Sequence, residues 1–417
     1  NNYSNDFVRK FGADEDAFFD AGFTSLFDAG VVYPDGPGPG FSVPSQLIDA
    51  VAAAESASGF EMNNQDPDFD IPGEWKAALG ATYLLDLPVP VLGGDYVLNA
   101  DLLYTRDHNA ATVIRGDFVA ATPAVNGLFP QYDSPFSPNT LTLTNTDLEA
   151  ESISLSFSVS KEYDFGLDWV FGYAYNDAED VNPMTSSVAF SNYTSPAFVD
   201  PQNPGIATSN YNIENRFTFL ANYETDWLVQ DYFTRVSLFA LASEGRPYSY
   251  TMNSRGGGDL TNFNPFLRGD NFLLYVPTGV NDPNVDLTGL GGDVDAFFAY
   301  LDQEGLSQYA GGFAPRNGFN GGWWTKVDLR IEQEFPGLSE GHRTNAFLVI
   351  DNFTNLLNDE WGILREASFP RRVSVVDSEL VNGDTQFGYS NFNPETQSTV
   401  VGDASLWQVR VGVRYQF

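Results

Sequence analysis

Residues 407–417 read WQVRVGVRYQF, with an apolar or aromatic side chain at every second position. Side chains of a strand alternate between its faces. Trp407, Val409, Val411, Val413, Tyr415 and Phe417 therefore share one face, and Gln408, Arg410, Gly412, Arg414 and Gln416 the other. One face suits an apolar medium, the other water. The alternation does not say what the apolar face touches, since a strand of a soluble sandwich carries the same pattern. On this segment alone, a sandwich core and a lipid bilayer both remain open.

The pattern recurs upstream. Residues 152–160, SISLSFSVS, set Ile153, Leu155, Phe157 and Val159 against five serines. A short EYDF turn leads into LDWVFGYAY (167–175), with Leu167, Trp169, Phe171, Tyr173 and Tyr175 on one face, so the two segments read as a hairpin. WKAALGATYLL (75–85), YVLNADLLY (96–104), RFTFLANY (216–223), TRVSLFALA (234–242) and WTKVDLRIEQ (324–333) alternate likewise. TNAFLVIDN (344–352), PRRVSVV (370–376) and TQFGYSN (385–391) precede the closing strand, which makes eleven candidate strands. Several are about ten residues long, the length a tilted strand needs to cross a bilayer.

The connections alternate too. They are short after residues 85, 161, 224, 334 and 376 and long before residues 74, 150, 214, 323 and 405. Short turns at one end and long loops at the other mark an outer-membrane barrel, whereas a soluble sandwich would not reserve its longest loops for alternate connections. The sequence thus predicts an all-β, antiparallel transmembrane β-barrel over residues 74–417. Its long extracellular loops lie at 106–149, 176–213 and 246–322, and residues 1–73 form a further extracellular region. With the short turns periplasmic, the first and last strands both descend and Phe417 lies at the periplasmic rim. Two loop segments read as helices, SQLIDAVAAAESAS (45–58) and DVDAFFAYLDQEGL (293–306), serving either as a lid or docking surface or to fold the loops compactly.

Composition agrees with a barrel. Of 417 residues, 42% are hydrophobic, an ordinary share, but 15% are aromatic (35 Phe, 20 Tyr, 7 Trp), the supply that two interfacial girdles would use. No segment approaches the roughly 18 uninterrupted apolar residues of a membrane helix. The chain has no Cys, which excludes disulfides and thiolate metal sites, and its first residue is Asn with no signal-like stretch, as expected of a processed chain or a fragment. Against 56 acidic residues stand 20 basic ones, a net charge of −36, which argues against a nucleic-acid partner. Residues 1–73 alone hold thirteen acids against Arg9 and Lys10.

Catalytic motifs are missing: there is no G-x-S-x-G, H-E-x-x-H or P-loop, and the chain reads as a non-enzyme. The only histidines, His108 and His342, fall at opposite ends of their strands. RGGGD (255–259) reads as a flexible turn rather than a phosphate loop. Asp66, Asp68 and Asp70 in DPDFD, and Asp177, Glu179 and Asp180 in NDAEDVN, offer hard oxygen ligands for Ca2+ without EF-hand spacing. Hydration of an acidic surface is the alternative reading.

PGEWKAALG (72–80), LTLTNTDLEAESISLSFSVSK (141–161), EGRPYSYT (244–251), DNFLLYVPTG (270–279), PRNGFNGGWWTKVDLRIEQEFP (315–336) and IDNFTNLLNDEWG (350–362) occur in this order ahead of a terminal aromatic. Together they resemble the C-terminal barrel half of Oar-like TonB-dependent outer-membrane receptors. The resemblance implies a barrel of about 22 strands, of which this chain would supply half, closed by an N-terminal plug. It also implies the outer membrane of a Gram-negative cell, lipid and the TonB system as partners, and Trp407 to Phe417 as the signal read by the outer-membrane assembly machinery. No plug or TonB box is present in this chain, so the remainder is expected either on a longer polypeptide or on another one. Two functions follow as expectations. One is a plug-gated transporter that captures its ligand at acidic surface loops; the other is a surface-binding, adhesion or protein-translocation barrel that docks surface proteins or lipoproteins. Lys326, Asp328, Arg330 and Glu332 supply a polar lumen wall in either case.

Overall fold

The computed structural model describes residues 62–87, 93–116, 118, 122–132, 140–254, 269–394 and 398–417. The predicted helix at 45–58, the RGGGD segment and nearly all of the predicted 1–73 region lie outside them. The chain is predominantly β. Its largest sheet is an antiparallel meander of nine long strands: β1 (Gly73–Leu85), β2 (Tyr96–His108), β3 (Glu151–Glu162), β4 (Leu167–Asp180), β5 (Asn215–Val229), β6 (Tyr232–Ser243), β7 (Trp324–Pro336), β8 (Arg343–Asp351) and β9 (Gln408–Gln416). A two-residue strand, Ala207–Thr208, adds to the end of β4. Neighbours in the chain are neighbours in the sheet, so the short connections all fall at one end and the long ones, 109–150, 181–214, 244–323 and 352–407, at the other. The path is open among the described residues: β1 and β9 each have a single ladder partner.

The register carries the sequence alternation across the whole sheet. Leu79 faces Leu102 and Leu155, then Tyr175; farther along, Phe219 faces Ala240 and Val327, and Leu329, Ile350 and Val409 follow in line. All lie on one face. The opposite face carries Asn99 and Ser158, Asp168 and Asn222, Ser237 and Arg330, and Arg410. On that face Thr82, Asn99 and Ser158 form a hydrogen-bonded run, as do Ser154, Asn176 and Asn212. Among the described residues nothing covers the apolar face: Trp75 is 76% exposed, Leu79 70% and Val411 76%.

The buried core lies elsewhere. Every member of the buried hydrophobic cluster, from Val113 to Tyr389, belongs to one of the four long connections, which fold together into a cap. Its main sheet runs Phe272–Leu273, Pro247–Ser254, Arg372–Val381, Gln386–Ser390, Val285–Gly289. Against it packs α1 (Val294–Gln303), the predicted loop helix, which buries Phe297, Tyr300 and Leu301 and is followed by Gly305 in the left-handed conformation. Phe129, Phe198, Phe272 and Phe387 meet edge to face in the core, contacts of about 0.5–1.5 kcal/mol beyond area burial.

Two of the eleven predicted strands are therefore corrected. PRRVSVV and TQFGYSN belong to the cap sheet, and 352–407 is one long connection rather than two strands with a short turn after 376. The physical reason is two-sided burial: Arg372, Val373, Val375 and Val376 are all buried, and the adjacent valines break the period of two that a one-sided strand obeys. The long connections run 109–150, 181–214 and 244–323 rather than 106–149, 176–213 and 246–322: β2 and β4 extend past their apolar cores to His108 and Asp180, whereas β6 already ends at Ser243.

Candidate functional site

Of the closing-strand residues, Val409, Val411, Val413 and Tyr415 stand opposite Ile350, Leu348, Ala346 and Thr344 on the apolar face. Trp407 precedes β9 at the long-connection end, and Phe417, 97% exposed, follows it at the short-turn end. Tyr415 has a further role that alternation does not reveal. Its hydroxyl accepts the Leu338 N–H at 3.1 Å and hydrogen-bonds His342 Nδ1 at 2.7 Å, holding the β7–β8 turn. His108 sits at the far end of the sheet, at the close of β2.

The six carboxylates read as calcium ligands do not converge. Asp66 is occupied by protein: its Oδ1 accepts the Asp68 N–H at 3.0 Å and its Oδ2 the Thr144 hydroxyl at 2.7 Å. These bonds hold its pKa below the ordinary carboxylate value, the Asp68 N–H contributing most. Asp70 is tied through its backbone to Asn145. Asp177 and Glu179 share one face of β4, while Asp180 turns to the other and pairs with the buried Arg316 at 3.5 Å. Among the described residues no three His, Asp or Glu are arranged to hold a metal ion.

The polar face does form a site. Near its short-turn end lies a cavity of about 660 Å3 lined by residues from β3 to β9, among them Glu162, Asp168, Glu224, Arg235, Arg330 and Arg414. In a flat sheet β3 and β9 would stand about 29 Å apart, six spacings of about 4.8 Å. One cavity reaches both, so the sheet curls with the polar face inward. Arg330 and Glu332, two of the four predicted lumen residues, line this cavity; Lys326 and Asp328 pair with each other at 3.1 Å outside it.

Local geometry fixes the cavity walls. Gly166, at φ 89°, closes the β3–β4 turn against β5, where a Cβ would stand 2.1 Å from the Glu224 carbonyl oxygen. Phe347 lies across Gly412, whose absent Cβ would be 2.3 Å from the ring, and the Arg330 guanidinium stacks 4.9 Å from the centre of the same ring. Arg330 bonds Glu332 at 2.7 Å, and Glu224 accepts from Arg235.

The sequence matches no protein-family model and no curated protein. The site must therefore speak through its own geometry. That geometry is a charged, water-compatible inner face backed by an exposed apolar outer face. None of the described helices is long and apolar enough to cross a membrane.

Proposed function

We propose that the nine-stranded sheet is part of the wall of an outer-membrane β-barrel receptor of the TonB-dependent, Oar-like kind. Its apolar face meets lipid, its polar face lines a lumen gated by a plug, and the cap stands on the outer surface, where it takes up ligand. The observation that carries this reading is the inversion of burial: the sheet exposes its continuous apolar face while the cap keeps a conventional core. In water an exposed apolar surface of this extent drives association; in hydrocarbon it is the required solvent contact. Lengths agree. A 13-residue strand such as β1 extends about 43 Å and, tilted by about 45°, crosses about 30 Å of hydrocarbon. Aromatic side chains flank the band: Trp75, Tyr173, Phe217 and Trp323 toward the cap, Tyr83, Trp169, Tyr223 and Tyr415 toward the short turns.

The chain lacks Cys, so single cysteines report their surroundings cleanly. In lipid vesicles, Val411→Cys is expected to resist a water-soluble maleimide and Arg410→Cys to react. On intact cells, Val280→Cys, on the exposed cap surface, is expected to label from outside. Equal reaction at 410 and 411 would overturn the membrane assignment. The cap's own core also favours a second reading, a docking barrel for surface proteins, since a self-supporting cap presents a fixed surface. Uptake that stops when inner-membrane energy coupling is removed, with binding retained, supports the transporter; binding without any energy-dependent uptake supports docking.

A further inference from the structure

The charges around the cavity are segregated. Glu162, Asp168 and Glu224 come from β3, β4 and β5; Arg235, Arg330 and Arg414 come from β6, β7 and β9, with Glu332 among them. Five of these seven are engaged within the protein. Arg235 bonds Glu224, Arg330 bonds Glu332, and Asp168 accepts the Asn222 amide at 2.8 Å. Glu332 also accepts from Asn345 at 2.5 Å. Among the described residues the two left without a side-chain partner are Glu162 and Arg414, one on each wall. Both are exposed.

We propose that this cavity binds a zwitterionic peptide, its carboxylate held by Arg414 and its ammonium by Glu162. The proposal rests on the polar face being the lumen side. A simple anion would meet Glu332 and Asp168 as well as Arg414, and a simple cation would meet the arginines. A ligand carrying both charges avoids both conflicts. The guanidinium fork matches a carboxylate in two parallel bonds, and the carboxylate of Glu162 accepts from an ammonium. Size agrees: 660 Å3 corresponds to a sphere about 11 Å across, and an extended tripeptide spans about 10 Å at about 3.4 Å per residue. Tyr163, Asn222 and Ser237 line the space between the charged walls and offer polar groups to the peptide bonds.

Triglycine is the probe, with N-acetyltriglycine lacking the ammonium and triglycinamide lacking the carboxylate. Binding to the protein in lipid vesicles is measured by calorimetry. Each blocked peptide is expected to bind about tenfold more weakly than triglycine, the loss of one charge-assisted contact. Glu162→Gln is expected to abolish the discrimination against N-acetyltriglycine only, and Arg414→Gln the discrimination against triglycinamide only. Arg414→Lys should restore part of it. Both positions are exposed, so these variants keep the fold, which strand circular dichroism checks. Equal binding of the three peptides, or discrimination unchanged in both Gln variants, overturns the proposal. The labelling at residues 410 and 411 is read separately. Protection at 411 with indifferent peptide binding rejects the cavity assignment alone. Reaction at 411 with discrimination intact rejects the membrane assignment and leaves the peptide site standing.

Discussion

Asn352 is fully buried at the end of β8 with φ 52°, a left-handed conformation that Asn tolerates better than most residues. Its backbone N–H donates to Asp328 at 2.7 Å, and its side-chain amide donates to the carbonyls of Gly362 at 3.0 Å and Ser405 at 2.7 Å. Trp324 Nε1 donates to the same Gly362 carbonyl, so one asparagine knots β7, β8 and the approach to β9 at the cap end. Asn352→Ala is expected to cost about 2–4 kcal/mol, since the Ser405 carbonyl loses this donor, the Gly362 carbonyl keeps only Trp324, and the backbone is strained. Asn352→Gly relieves only the backbone part, and urea titration in lipid vesicles separates the two. Arg316 acts similarly between connections, donating to the Val181 carbonyl at 2.6 Å and the Gly205 carbonyl at 3.3 Å. Both residues stand in the motifs PRNGF and IDNFTN, so their segments were visible in the sequence. Their roles were not, because their partners lie far along the chain and positive φ leaves no mark on composition.

Strand alternation made nine strands legible, because two unlike faces force a period of two, and the alternation of connection lengths placed the end of β9 at the short-turn end. It misplaced the two cap strands, which are buried on both sides. Arg330 and Glu332 could be read as facing inward from a single strand. Glu162 and Arg414 needed the curl that brings β3 to β9, a property of register and twist rather than of any one segment. The cap has its own electrostatic signature. Burial, first of all, raises the phenols of Tyr248, Tyr250 and Tyr275, pushes that of Tyr300 up to about 12, and lifts Tyr389 well above the usual range. Such shifts favour the folded cap fully below the unfolded phenol value of about 10, and that contribution is lost as pH rises through the folded values. Between about pH 10 and 12 the cap is expected to become protease-sensitive as tyrosinate absorbance rises, while strand content in lipid persists. Strand and cap signals that collapse together would contradict the separation of the two.

At the scale of the whole molecule, the sheet exposes its apolar side chains while the cap buries its own, and under the proposed membrane reading substitutions should sort accordingly. Phe417 is 97% exposed and lies beyond the last paired residue of β9. Its removal is expected to change stability in vesicles by no more than about 0.5 kcal/mol, the ordinary range of exposed sites. If it serves as the assembly signal, the yield of heat-modifiable barrel in cells should nonetheless fall more than after deletion of one exposed cap residue; unchanged yield would leave it an ordinary lipid contact. Divalent-ion chelation is expected to leave proteolysis within 176–213 unaltered, because Asp180 is paired with Arg316 and Asp177 and Glu179 face away from it. Faster cleavage there on chelation would restore a cation to that segment.

The cap core draws on all four connections, with Val113 in the first, Phe198 in the second, Tyr250 in the third and Tyr389 in the fourth. The third contributes the most, from Tyr250 to Ala314, but its side chains share one core with those of the other three, and contacts over such separations close slowly. The shared core is complete only once the chain through Tyr389 has reached the same side. The cap is therefore expected to gain protease resistance after the strands it joins, and a refolding time course in which cap and strands become protected together would oppose this.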